Sequence, residues 1–77
     1  MKSAEYCKAL KSGREVVIMA MSNKSRELTT IFWMDGNMIY SWNREFGMVD
    51  REDMTLERFA QHCDKMRESG HAVAIRG

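Results

Sequence analysis

Cys7, His62, Cys63 and His71 are the side chains of this 77-residue chain with the chemistry to act as nucleophile, base or metal ligand. A thiol nucleophile needs a base within hydrogen-bond reach and a lowered pKa. His62 adjoins Cys63, but neighbouring helical positions point about 100° apart and do not face each other. Both cysteines fall on the apolar stripes of expected helices, which reads as buried, inert thiol. His71 opens an expected strand and reads as a surface residue. The four have no CxxC or HxxxH spacing, so no metal is expected. The glycines at 13, 36, 47, 70 and 77 are scattered and build no phosphate loop, and no cofactor is implied. Glu45, Asp50, Glu52 and Asp53 crowd one stretch, interleaved with Arg44 and Arg51. That pattern describes a solvated charge cluster rather than an acid-base pair. No catalytic constellation results, and the chain is expected not to be an enzyme.

The aromatic stretch 27–43, ELTTIFWMDGNMIYSWN, carries the strongest structural signal. Two β-branched and aromatic runs flank Asp35-Gly36, a hairpin signature. A two-residue loop there pairs Met34 with Asn37, Trp33 with Met38 and Ile31 with Tyr40. Ile31, Trp33, Met38, Tyr40 and Trp42 then share one face, and Leu28, Thr30, Phe32, Ile39, Ser41 and Asn43 the other. Exposed rings on a sheet can stack nucleobases, but such platforms interleave the rings with cations. Here Arg14, Lys24, Arg26 and Arg44 fall at strand ends and turns, and 12 basic residues meet 11 acidic ones, which leaves no basic excess for phosphate.

The elements that position these residues follow from periodicity. Residues 3–12 predict a short helix, capped by Ser3 and closed by Gly13. Residues 15–21, EVVIMAM, predict a strand with Val17, Met19 and Met21 on one face and Val16, Ile18 and Ala20 on the other. The polar stretch 22–26 is its connector to the hairpin. Residues 44–54 lack a period and read as a loop, packed over an edge by Phe46, Met48 and Val49 or acting as the working loop. Residues 55–69 predict a helix capped by Thr55, with Asp53 as a competing cap, and closed by Gly70. Leu56, Phe59, Ala60, Cys63 and Met66 form its apolar stripe. Residues 71–76 are a closing strand. The expected fold is therefore α+β, a single domain spanning 1–77, in the order α-β-β-β-α-β. It has a four-stranded, mostly antiparallel sheet in the order 3-2-1-4 and two helices on one face. A right-handed crossover would set the last strand parallel to the first.

Residues 3–14 hold no apolar run of the secretory type, and the longest such run, Val16 to Met21, is far too short for a membrane span. With two unclustered cysteines, this leads to the expectation of a cytoplasmic protein with free thiols. The opening E-Y-C-K-A-L-K-S-G-R-E-V is similar to the start of many small phage-encoded proteins. It covers only residues 5–16 as a helix-glycine-strand unit, and no residue role follows from it.

The three expected strands of the first sheet half are apolar or aromatic on both faces, while two helices cover one. A homodimer or another protein partner is the expected cover. The expected contact residues are Trp33, Tyr40 and Trp42 on the sheet, with Arg44, Glu45, Arg51 and Glu52 supplying charge-assisted contacts from the loop. This suits a phage or mobile-element accessory or inhibitor protein. The alternative is binding of nucleic acid or a nucleotide-like ligand by the hairpin rings.

Overall fold

Gly36 and Asn37 set the register on which the sheet is built. In the computed structural model, which describes residues 2–21 and 26–77, β2 (Arg26–Asp35) pairs antiparallel with β3 (Met38–Asn43). Asp35 lies opposite Met38, Trp33 opposite Tyr40 and Ile31 opposite Trp42. The loop is thus Gly36-Asn37 rather than Asp35-Gly36. Gly36 has φ of +64° while Asn37 keeps an ordinary φ, the pattern of a II′ turn with glycine in the first central position. The pairing is displaced by two residues from the expected one. Side chains alternate with period two, so Ile31, Trp33, Met38, Tyr40 and Trp42 still share a face.

The remaining elements are α1 (Lys2–Lys11), β1 (Glu15–Met21), β4 (Met48–Glu52), α2 (Leu56–Glu68) and β5 (Ala72–Arg76). The fold is α+β, with a five-stranded sheet in the order β4-β3-β2-β1-β5 and every neighbouring pair antiparallel. The fifth strand is β4, within the stretch expected to be a loop. Asn43 and Gly47 make its turn: Asn43 Oδ1 accepts from the Glu45 N–H at 2.9 Å, and the Gly47 N–H donates to Asn43 O at 2.8 Å. Gly47 sits at φ +64°. The sequence MVDRE shows no strand period because an edge strand is held by backbone pairing on one side and carries charges on the other. This extra strand reverses the chain before α2. The last strand consequently reaches β1, as expected, but runs antiparallel to it, not parallel.

Helix α1 begins at Lys2, so Ser3 lies inside it rather than capping it. Its end is closed as expected, with Gly13 at φ +85° and the Arg14 N–H donating to Ala9 O at 2.9 Å. Thr55 caps α2, its hydroxyl accepting from the Arg58 N–H at 3.2 Å. Of the expected connector 22–26, residues 22–25 lie outside the described residues and Arg26 instead opens β2. Both helices pack on the face carrying Val16, Ile18, Phe32 and Ile39, where Tyr6, Ala9, Leu10, Phe59 and Cys63 complete the buried core. Phe59 is fully buried, and its ring meets Phe32 edge-on at 5.1 Å. A bulge between Ile18 and Met19 places Leu28 opposite Met19, which turns Leu28 away from the helices, contrary to the sequence expectation.

The two thiols lie where α1 meets α2 and are free. Cys7 is half-buried and its Sγ–H donates to Leu56 O at 3.2 Å. Burial raises its pKa, against a smaller opposing effect of Lys11. Cys63 is buried, and burial, then Cys7, then Asp64, push its thiol up to about 12. His71 is half-buried rather than a surface residue, and its Nδ1 has no hydrogen-bond partner among the described residues.

Replacing Phe59 by alanine should cost about 3–5 kcal/mol in a denaturant titration, since a fully buried ring leaves a cavity. The folded state holds the Cys63 proton more tightly than the unfolded chain does. Its contribution is therefore complete below pH 9 and is lost as pH rises from 9 toward about 12, at up to about 1.4 kcal/mol per pH unit. Tyr6, also raised by burial, adds in the same direction above its ordinary value of 10. Urea midpoints should fall more steeply above pH 9 for the parent chain than for Cys63→Ala; equal slopes would show that this thiol is not the group responsible.

Candidate interaction surface

Strand pairing lays out the face away from the helices in cross-strand rows. Val49, Trp42, Ile31, Val17 and Ala74 lie side by side across all five strands, an unbroken apolar row. One step along, Arg51, Tyr40 and Trp33 line up, with Glu15 and Arg76 beyond them at the β5 edge. On the other side of the apolar row come Leu28, Met19 and Ala72. The rings of Trp33 and Tyr40 stack with centroids 6.2 Å apart and planes 16° from parallel. Among the described residues no helix covers this face, yet most of its residues are half-buried because they shield one another. Val17 is only 5 % exposed, whereas Met21 and Val49 at the margins reach 49 % and 57 %.

The charged residues expected to act together are separated. Arg51 stands on the open face next to Tyr40. Glu52 points to the helix side, where its Oε1 accepts from the buried Ser41 hydroxyl at 2.7 Å. Arg44 and Glu45 sit in the exposed turn between β3 and β4, with Arg44 3.9 Å from Glu27. Both partners of that pair are well exposed, so it adds little. Alternation in the sequence placed Val17, Met19, Ile31 and Met38 on their strand faces, but the expected contact residues were only the rings and the charges; all four share this face with the rings. The period-two pattern of each strand was the signal for them. Phe46, Met48 and Val49 do not pack over an edge: they are 69 %, 60 % and 57 % exposed.

Beneath the overhanging β3–β4 hairpin, on the helix side, Phe32, Ser41, Phe46, Asp50, Glu52, Met54 and His62 line a cleft of about 290 Å³. His62 lies edge-on to Phe32 at 5.7 Å. Among the described residues no hydrogen bond joins Ser41 to His62, so the hydroxyl has a carboxylate partner and no imidazole base. Both thiols are held protonated at neutral pH by burial, which makes them poor nucleophiles. Among the described residues no group of three His, Cys, Asp or Glu side chains is placed to hold a metal ion, and no helix is long and apolar enough to cross a membrane.

What this arrangement offers is an apolar, ring-bearing sheet face with one arginine among its rings and a charged, apolar-tipped hairpin at its edge. Comparison of the chain with protein-family models, with curated proteins and with solved structures finds no match.

Proposed function

We propose that the chain is a small, non-catalytic protein-interaction module, built on the scale of an accessory or inhibitor protein, that docks another polypeptide on the open face of its sheet. The observation that carries this reading is the apolar row Val49-Trp42-Ile31-Val17-Ala74, which crosses the five described strands on the side that no described helix covers. Trp42, Trp33 and Tyr40 are side chains of the type that dominates binding energy, and Met19, Met21 and Met38 lend the face the adaptability of thioethers. Arg44, Glu45 and Phe46 at the hairpin tip lie beside this face and supply charge-dependent selection of the partner.

Nucleic acid is the weaker reading. Its electrostatic term needs several cations tracking a backbone. The open face has Arg51 near the rings, and Arg76 is paired with Glu15 at 2.9 Å. Trp33 and Tyr40 also spend one ring surface on each other.

Polypeptides that co-purify with the tagged protein from its native extract, untagged copies of the chain included, should be lost with Ile31→Arg and retained with Glu57→Gln on the exposed side of α2. Trp42→Ala should weaken binding by about 2 kcal/mol or roughly thirtyfold in Kd. Retention of the same partners by Ile31→Arg would overturn the reading. Quenching of tryptophan emission by single-stranded oligonucleotides at low salt would favour the nucleic-acid alternative.

A further inference from the structure

We infer that the outer edge of β5 takes an added strand, an extended segment of another polypeptide in which apolar residues alternate with acidic ones. This is a different surface from the open face, and the inference does not depend on what covers that face. β5 ends the strand order β4-β3-β2-β1-β5, and among the described residues it pairs with β1 alone. Alternate residues of an edge strand turn their N–H and C=O groups outward, where they can bond a further strand in place of water. The two edges of this sheet are defended unequally. β4 carries Asp50, Arg51 and Glu52 within its short length, the kind of charge that discourages edge pairing. β5 reads Ala-Val-Ala-Ile-Arg, with no charge before Arg76, no proline and an unbroken register against β1. The guanidinium of Arg76 is itself tied to Glu15 at 2.9 Å. From the helix side the Tyr6 hydroxyl donates to Val73 O at 3.3 Å. The strand is thus held in place before anything docks, which lowers the ordering cost of docking.

Side chains of an added strand alternate between the two sides of the sheet, and the edge offers them different surroundings. On the helix side, Glu5, Lys8, Ala9, Ser12, Arg14 and Ile75 line a groove of about 330 Å³ between α1 and the edge. Ala9 and Ile75 are its apolar part, and two cations stand against one carboxylate. Among the described residues neither Lys8 nor Arg14 forms an ion pair. A glutamate side chain suits this groove, with its methylenes against Ile75 and Ala9 and its carboxylate toward Lys8 and Arg14.

On the open side β5 carries Ala72 and Ala74, opposite Met19 and Val17. These small side chains leave room for larger apolar ones at the intervening positions of the added strand. Such residues would extend the row Val49-Trp42-Ile31-Val17-Ala74 by one strand. A basic segment would meet Lys8 and Arg14 with like charge. A wholly apolar one would desolvate both cations without pairing either.

The probe is an acetylated and amidated heptapeptide of alternating valine and glutamate, and the matching valine-lysine peptide is its control. Hydrogen exchange read by NMR on the full chain at low salt should show the outward amides of β5 protected by the glutamate peptide. At about ten times its Kd the protection should be about tenfold. The lysine peptide should protect none of them, and added salt should weaken the glutamate peptide. Lys8→Glu combined with Arg14→Glu, both at exposed positions, should invert the preference so that the lysine peptide protects instead. Protection of β5 by neither peptide, by both alike, or by the glutamate peptide undiminished in the charge-reversed variant would overturn the inference. So would protection of β5 that rises with protein concentration in the absence of peptide, the mark of a second copy on this edge.

Discussion

Two helices can roof only one face of this sheet, and not all of that face. Helices α1 and α2, of 10 and 13 residues, are about 15 and 20 Å long and about 10 Å wide. Five strands at a spacing of about 4.8 Å span roughly 24 Å. Set side by side against β1, β2 and β5, the helices seal Val16, Ile18 and Phe32 under Leu10, Phe59 and Cys63. They leave β4 projecting beyond them and the far face bare. The cleft beneath the hairpin, the exposure of Phe46 and Met48, and the apolar rows on the open side all follow from this mismatch between sheet width and helix cover.

The same constraint explains why the two thiols stay protonated where they stand. Cys7 and Cys63 sit at the helix–helix contact because small, weakly polar thiols let the helices approach, and the burial that follows keeps them protonated. Ser41 and Glu52 satisfy each other at 2.7 Å on the uncovered part of β3 and β4, where an unpaired buried hydroxyl would be costly. The surface left over on the far side of the sheet is a broad apolar one.

Much of this layout was legible in the sequence, and the failures are instructive. The alternation in EVVIMAM and in the aromatic hairpin assigned faces correctly except at Leu28, even though the turn was misplaced, because an error of two residues preserves alternation. The stripe Leu56-Phe59-Ala60-Cys63-Met66 located the second helix and the face it buries. β4 was invisible because Met48–Glu52 has no buried side to impose a pattern; only the Asn43…Gly47 turn chemistry marked it. That omission propagated, since one uncounted reversal inverted the direction of the last strand. The bulge that redirects Leu28 has no signature in residue type. At the site, the rings were found from composition, but grouping Arg44, Glu45, Arg51 and Glu52 in one loop hid the fact that Arg51 and Glu52 point to opposite faces of a strand.

If the bare face is the working surface, it is covered when the protein is at work. Hydroxyl-radical footprinting at the concentration where the protein functions tests this most directly, because Met19, Met38, Trp33 and Trp42 all lie on that face and oxidise readily. These four should be protected well beyond their exposure in the single chain, while Met48 and Phe46 at the hairpin tip react freely. Oxidation of the face at the rate its exposure in the single chain allows, with no added protection at any concentration or in the presence of partners, would contradict it.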